Sequence, residues 1–462
     1  MIFEQYYLGC LSQASYLVAD DVTRRAVVVD PRRDVSIYLD EARERGLSIE
    51  LVLETHFHAD FLSGHLELAA ATGAEIGYGS AAETEFDARR LDDGEVLRLG
   101  DGPDGVSLEI RHTPGHTPES ISIVVRESDG ADPFAVLTGD TLFVGDVGRP
   151  DLLSSRGVTA DDLAGQLYDS LHDRLLTLPD TTRVYPGHGA GSSCGKSLSS
   201  DTWSTIGTQR ATNYALAPMS KDEFVAAVTE GQNLPPQYFS FDAALNRQAH
   251  GVLDESPPPP MSLDEVVRHQ RAGGVVLDTR DPAEFALGHL LGSVNVGLGG
   301  RYAEFAGGVI QPGARIALVT DPGMELESKI RLARIGYDHV VGHVDEPLSL
   351  LVERPEEACR LRRLDVAEVE AALGGGGVQL VDVRQPGETV DGTIDGAVGI
   401  PLTRLNERLA QLDASKPTIV FCAGGYRSAI AASRLMQAGF ADVADLVGGY
   451  GAWAQAHEPT PA

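Results

Sequence analysis

Lysine is nearly missing from this chain. Lys196, Lys221, Lys329 and Lys416 are the only four in 462 residues, and 68 acidic residues face 37 basic ones for a formal net charge of −31. Nucleic acid binding needs a basic stripe to neutralise phosphates, and none is visible; an anionic membrane surface is disfavoured on the same ground. The acidic excess reads as a solvated surface and names no substrate. Cysteine is scarce too: Cys10, Cys194, Cys359 and Cys422 lie far apart with no paired spacing. A disulfide framework is therefore excluded, and a reduced compartment with one or more reactive thiols is expected. No apolar run approaches the roughly 18 residues of a membrane span. The start, Met1-Ile2-Phe3-Glu4-Gln5, lacks the basic region and apolar core of a signal peptide, so a cytoplasmic protein is expected.

What is present is length and ordinary apolar content. A chain of 462 residues with 42% hydrophobic residues leads to an expectation of two to four soluble globular domains, each able to bury a core.

One stretch concentrates chemistry: Thr55-His56-Phe57-His58-Ala59-Asp60 follows the apolar run Leu51-Val52-Leu53 and precedes a helical segment from Ser63 that ends at Gly73. Two imidazoles and a carboxylate within five residues suit a borderline metal such as Fe, Zn or Mn. The plain alternative is a polar turn with Asp60 capping the helix.

Other strand-like runs end in similar turns. Ser15–Val18 and Ala26–Val29 open the chain, a helix is expected over 34–46, and strand 49–54 delivers the His-rich turn. Val106–Ile110 leads to His112-Thr113-Pro114-Gly115-His116, Phe134–Thr138 to Gly139-Asp140, and Arg183–Tyr185 to Pro186-Gly187-His188-Gly189. Strands that repeatedly end in His or Asp build a site at one edge of a layered α/β domain. Residues 201–250 read as helical turns broken at Pro235-Pro236.

Pro257-Pro258-Pro259-Pro260 reads as a stiff polyproline II linker. Beyond it the chain repeats itself. Val276-Leu277-Asp278-Thr279-Arg280 recurs as Leu380-Val381-Asp382-Val383-Arg384, and strand Ile316–Val319 recurs as Thr418–Phe421. Each copy alternates strands and helices over about 100 residues, which implies a doubly wound parallel sheet. The second copy places Cys422-Ala423-Gly424-Gly425-Tyr426-Arg427-Ser428 between its strand and a helix over Ala429–Met436. Inward backbone N–H groups and a helix N-terminus there favour a thiolate and a bound anion, and Arg427 adds positive charge. The first copy has Asp321-Pro322-Gly323-Met324-Glu325 at that position. A carboxylate cannot replace a thiol nucleophile and Pro322 removes one N–H, so this copy is expected to be catalytically dead and to act as a spacer or docking surface. Cys359 receives no role, and Cys10 is expected to be a small buried hydrophobe.

These motifs resemble known families. The four turns of the first half, in order, resemble the metallo-β-lactamase superfamily, which implies an αββα sandwich with its metal site at one edge. The chain departs from that family's His-x-His-x-Asp-His motif at Phe61, which weakens a second metal site. Thr55–Phe61, Thr138–Phe143 and Gly145–Asp151 look like the persulfide dioxygenase branch, which implies one Fe(II) per chain on His56, His116 and Asp140. The resemblance then leaves His58, Asp60 and His188 to orient ligands or substrate, and Arg149 to anchor the carboxylate of a thiol carrier. A surface arginine in a turn is nearly as good a reading of Arg149. Cys194, six residues beyond His188, is a candidate sulfur relay on proximity alone. Both later copies resemble rhodanese domains. The Cys-x4-Arg loop matches an active one, with Cys422 carrying persulfide, Arg427 supplying charge, and Ala423, Gly424, Gly425, Tyr426 and Ser428 surrounding the sulfur.

The expected architecture is thus α/β: a metallo-β-lactamase αββα sandwich at 1–250, a Pro-rich linker at 251–261, and two doubly wound rhodanese-like domains, inactive at 262–355 and active at 362–458. The implied activity is oxidation of a low-molecular-weight thiol persulfide by O2 to sulfite, coupled to sulfur transfer between persulfide, sulfite and thiosulfate, in a homo-oligomer. Two alternatives stay open: a zinc-dependent glyoxalase II-type thioester hydrolase, and a sulfur carrier or redox sensor whose metal domain only binds.

Overall fold

The computed structural model describes residues 1–152, 157–345, 347, 351–352, 354–390 and 392–458. The chain forms two compact units: Met1–Pro235 with Phe239–Asp254, and Pro236–Tyr238 with Glu255–Ala462.

In the first unit, β1 (Ile2–Leu8), β2 (Gln13–Ala19), β3 (Arg25–Val29), β4 (Ser48–Leu53), β5 (Glu75–Gly79) and β6 (Arg89–Leu91) form one sheet in sequence order. The second sheet holds β7 (Val96–Arg98), β8 (Ser107–His112), β9 (Ile121–Arg126), β10 (Ala135–Gly139), β11 (Arg183–Pro186) and β12 (Ser204–Thr205), again in order. Alternation along the strands builds the layers, because successive side chains point to opposite faces. Val27, Val29, Leu53, Ile110, Ile123, Val125 and Leu137 meet in one core between the sheets. Their neighbours Ala26, Val28 and Val52 pack outward against Tyr38 and Ala42 of α1 (Ser36–Arg45) and Leu68 of α2 (His65–Thr72). On the other face Val124, Val136 and Val184 meet Ala164 and Leu167 of α3 (Ala160–Asp169). Each such buried Val or Leu side chain contributes roughly 1.5–3 kcal/mol. Four layers, αββα, result.

The helix after the His-rich turn begins at His65, two residues later than the expected start at Ser63. Gly64 is the N-cap of α2 and no side chain caps it, so Asp60 is not a helix cap. Gly73, with φ 77°, closes the helix where only glycine sits without strain.

In the second unit, β13 (Val275–Asp278), β15 (Val294–Asn295), β16 (Ile316–Thr320) and β17 (Val340–Asp345) form a parallel sheet in the order β15-β13-β16-β17, and β14 (His289–Leu290) pairs with β18 (Ala358–Cys359). A second parallel sheet holds β19 (Arg362–Leu364), β20 (Gln379–Asp382), β21 (Val398–Gly399), β22 (Thr418–Phe421) and β23 (Val443–Leu446), ordered β19-β23-β22-β20-β21. In both sheets the paired copy strands, β13 with β16 and β20 with β22, are neighbours.

The polyproline segment, expected to be a stiff linker, also pairs with a strand. His343 donates its N–H to the Pro259 carbonyl and Met261 donates to the His343 carbonyl, so Pro259–Met261 lies along β17. Proline lacks an N–H, which confines it to such an edge position. Among the described residues no helix is long and apolar enough to cross a membrane.

Candidate metal centre and sulfur-transfer loop

The turns after β4, β8, β10 and β11 bring His56, His116, Asp140 and His188 together. One nitrogen each of His56 and His116 and one oxygen of Asp140 lie within 4.8 Å of one another, and all three residues are buried. His116 Nε2 is 3.5 Å and His56 Nε2 3.8 Å from Asp140 Oδ2. His56 Nε2 and Asp140 Oδ2 have no hydrogen-bond partner among the described residues. Buried polar atoms are costly when unpaired, so convergent orphan donors of N and O type fit a metal ion.

The opposite nitrogens explain why these atoms are available. His56 Nδ1 lies 2.9 Å from Thr55 Oγ1, and Thr55 donates its hydroxyl to Asp30 Oδ2 at 2.8 Å and its N–H to Asp30 Oδ1 at 2.7 Å. His116 Nδ1 donates to the Arg149 carbonyl at 2.8 Å. Placing the proton on Nδ1 leaves Nε2 with its lone pair, the form a metal needs. Burial, then the charge of His58, pushes His56 well below the ordinary imidazole range and keeps it neutral. Asp140 divides its oxygens: His188 Nδ1 holds Oδ1 at 2.7 Å, leaving Oδ2 for an ion. Burial disfavours the Asp140 charge, but His188, through its charge and its hydrogen bond, does most to outweigh it and hold the carboxyl far below its usual range.

Backbone closeness requires two of the motif glycines. A Cβ at Gly139 would stand 2.5 Å from Thr55 Oγ1, and one at Gly148 would overlap the Asp140 carbonyl oxygen.

His58 points elsewhere. Its Nε2 meets Asp30 Oδ1 at 3.1 Å and Glu54 Oε2 at 3.2 Å, and its ring lies against Phe61 with centroids 4.3 Å apart. Burial opposes its charge, yet Asp30 and Glu54 raise it to about 10, while burial lifts Glu54 to about 7. Asp60 contacts His188 Nε2 at 2.7 Å, so His188 bridges Asp60 and Asp140. Cys194 joins this group: one ligand atom each from Asp60, His188 and Cys194 lie within 4.8 Å. Its thiol is buried, and burial with the charges of Asp60 and Asp140 pushes it well above the ordinary range.

Arg149 is a correction. It is 1% exposed, its guanidinium pairs with both oxygens of Asp151 at 2.7 and 2.8 Å, and Nη1 donates to the Ser193 carbonyl. Its charge is already compensated, so it offers no free anchor for a substrate carboxylate. It ties the Cys194 loop to the His116 support instead, since its own N–H donates to the Cys194 carbonyl.

In the second unit Cys422 follows β22 and is 1% exposed. Gly425, with φ 100°, donates its N–H to Cys422 Sγ at 3.1 Å, and Ser428 Oγ lies 3.7 Å from the sulfur. The lips of the loop, Ala423 and Gly424, are exposed. Tyr450 and Gly451 donate to the carbonyls of Cys422 and Ala423, turning those oxygens away. A Cβ at Gly449 would overlap the Cys422 carbonyl oxygen, so the approach needs glycine. Arg427 is not a bare charge: both its terminal nitrogens pair with Glu388, at 2.7 and 2.6 Å. Tyr426 donates its hydroxyl to the carbonyls of Gly297 at 2.5 Å and Gly299 at 3.2 Å.

Sequence reading missed Asp30, Thr55, Glu388 and the Arg149 carbonyl. The Thr-His pair and Asp30-Pro31 at a strand end were visible signals for the first two; a backbone carbonyl leaves none.

Comparison with known proteins agrees with this layout. The metallo-beta-lactamase superfamily model matches residues 8–188, and the rhodanese-like domain model matches 262–346 and 365–456. The persulfide dioxygenase ETHE1, mitochondrial, of Bos taurus is 30% identical over 253 residues, 53% of this chain and 85% of that protein. The cytoplasmic hydroxyacylglutathione hydrolase of Arabidopsis thaliana is 34% identical over 185 residues, 40% of this chain and 66% of that protein. A metallo-beta-lactamase structure from Staphylococcus aureus is 31% identical, with a TM-score of 0.67, covering 75% of this chain and 99% of that one. By its motifs, fold and relatives, the chain belongs to the metallo-beta-lactamase superfamily, in the company of persulfide dioxygenases, with two rhodanese-like domains behind that unit.

Proposed function

We propose that the chain oxidises the outer sulfur of a low-molecular-weight persulfide with O2 and passes sulfane sulfur through Cys422. The balanced first reaction is RSSH + O2 + H2O → RSH + SO3²⁻ + 2H⁺, in which sulfur loses the four electrons that dioxygen gains. The observation that carries the reading is the convergence of two buried histidines and one aspartate, with His56 Nε2 and Asp140 Oδ2 lacking a hydrogen-bond partner among the described residues, in the same chain as a Cys-x4-Arg loop. Two-His-one-carboxylate sets with open positions are those of non-haem Fe(II) oxygenases.

His56, His116 and Asp140 would hold one Fe(II) ion, which when bound supplies the redox chemistry that joins dioxygen to sulfur. Thr55 and the Arg149 carbonyl fix the two imidazoles. His188 holds the Asp140 carboxylate at one oxygen and is itself held by Asp60. Cys194 stands beside them as a candidate sulfur relay. In the second unit Cys422 Sγ attacks the outer sulfur of RSSH, the S–S bond breaks, and RS⁻ leaves as thiol. The Gly425 N–H holds the sulfur during the exchange, the Ser428 hydroxyl braces the Gly425 carbonyl, and the loop around Ala423, Gly424 and Tyr426 shapes its entrance. Sulfite then takes the outer sulfur, giving thiosulfate and returning the Cys422 thiolate. These partners, O2, persulfide, sulfite and thiosulfate, are small molecules used in a reduced, cytoplasmic setting, and a homo-oligomer is the expected assembly.

One finding favours a second reading. Hydroxyacylglutathione hydrolases are as similar as the dioxygenases, and Asp60, His188 and Cys194 could hold a second ion for thioester hydrolysis. Phe61 in place of the family's histidine speaks against it. Protein loaded anaerobically with Fe(II) should take up oxygen on addition of glutathione persulfide. Thioester hydrolysis by the zinc form, with no oxygen uptake by the iron form, would reverse the choice.

A further inference from the structure

Strand β4 ends at Leu53 and α2 begins at His65, and residues 57–62 between them lie outside helix and sheet. The backbone of this buried turn must therefore find its hydrogen bonds elsewhere. One side chain from far along the chain supplies three of them. Asn246, 0% exposed, donates from Nδ2 to the His58 carbonyl at 2.9 Å and to the Phe61 carbonyl at 2.8 Å, and its Oδ1 accepts the Ser63 N–H at 2.9 Å. Both ends of its amide are thus spent on one turn. The segment that carries Asn246 is itself tied down. Arg247 lays its guanidinium over the Phe57 ring, 4.4 Å from the centroid, and its carbonyl accepts the Glu85 N–H. The Leu253 N–H reaches Glu67 Oε1 at 3.1 Å, and Arg33, which pairs with Glu67, also donates to the Gly251 carbonyl at 3.3 Å. All of this lies beyond residue 188, where the match to the superfamily model ends.

Between the two carbonyls that Asn246 holds stand Ala59 and Asp60. Asp60 meets His188 Nε2 at 2.7 Å, and His188 Nδ1 meets Asp140 Oδ1 at 2.7 Å, which leaves Asp140 Oδ2 facing His56 and His116. A carboxylate fixes an imidazole in one orientation only where its own backbone is fixed. We infer that Asn246 is a positioning residue of the metal centre: by holding the carbonyls on either side of Asp60, it sets the Asp60–His188–Asp140 chain and so the oxygen that Asp140 presents to the ion. The inference rests on the reading of His56, His116 and Asp140 as metal ligands and extends it to a residue that touches none of them.

The test uses full-length protein and Co(II), whose absorbance reports its ligands, in competition with a chelating dye. Asn246→Ala and Asp60→Asn should each weaken Co(II) binding about tenfold, and the double variant should bind no more weakly than either single one, because both break the same chain. Unchanged affinity in Asn246→Ala overturns the inference. So do losses that multiply to about a hundredfold in the double variant, the result an asparagine with a purely structural role would give. Wild-type protein carries a second measurement, which decides the matter if the alanine variant does not fold. The Ser63 N–H, donated to Asn246, should exchange with deuterium as slowly in metal-free as in metal-loaded protein. Exchange that is fast without the ion and slow with it would mean that the ion orders the turn, against a turn set beforehand by Asn246. Absence of saturable Co(II) binding by the wild type sinks the metal-centre reading itself, whereas tight wild-type binding with an unaffected Asn246→Ala sinks only the inference.

Discussion

After β16 the chain turns through Asp321-Pro322-Gly323-Met324, and after β22 it turns through Cys422-Ala423-Gly424-Gly425. Both turns leave the middle of a parallel sheet and enter a helix, Glu325–Ala333 in one copy and Tyr426–Gln437 in the other. The scaffold is the same and the chemistry is not. In the second copy the turn curls so that the Gly425 N–H reaches the sulfur, and Tyr450 and Gly451 pin the two carbonyls that would otherwise face it. In the first copy the four turn residues are exposed and Asp321 faces an open pocket. A rhodanese-like sheet therefore supplies only the position; a thiol, an inward N–H and pinned carbonyls set the second copy's loop apart from the first.

That contrast can be broken or sharpened by substitution. The largest effect is expected for Cys422→Ser, which should lower sulfur transfer by roughly 10³-fold or more, since it removes the thiol that the loop holds; thiosulfate-to-cyanide turnover measures it. Next comes the metal unit, which sharpens the comparison because side chains support His56 and Asp140. Thr55→Val removes the hydroxyl between His56 and Asp30 and should weaken metal binding about 10- to 100-fold, read by competition with a chelator. Glu388→Gln should change the KM for thiosulfate by only a few-fold, downward, because the Arg427 charge is then less neutralised. The smallest effect is expected for Asp321→Cys: a thiol at that position, with Pro322 behind it and no arginine following, should restore no measurable transfer in a Cys422→Ser background.

What could be read from the sequence divides along the same line. The donors His56, His116, Asp140 and the Cys422 loop stand in short local motifs, where residue type and spacing carry the chemistry. Strand ends were legible for the same reason: β4 and β10 fall within a residue of the apolar runs that mark them. What supports the donors was not legible. Asp30 and Thr55 are 25 positions apart, Arg427 and Glu388 39, and the group that orients His116 is a backbone carbonyl. Arg149 misled because its partner Asp151, two residues on, turns a promising cation into an internal tie. Strand β1, half-buried on both faces, shows no alternation to detect. The polyproline run read as a spacer because pairing along β17 uses the N–H groups of His343 and Met261 rather than its own.

The most direct test of the account follows the products of glutathione persulfide and O2 in three forms of the full-length, iron-loaded protein. Wild type should consume oxygen and release thiosulfate. Cys422→Ser should consume oxygen at a similar rate and release sulfite. His116→Ala should consume none while still transferring sulfur from thiosulfate to cyanide. Equal thiosulfate release by wild type and Cys422→Ser at matched initial rates, or oxygen uptake surviving in His116→Ala, would contradict the division of labour proposed here.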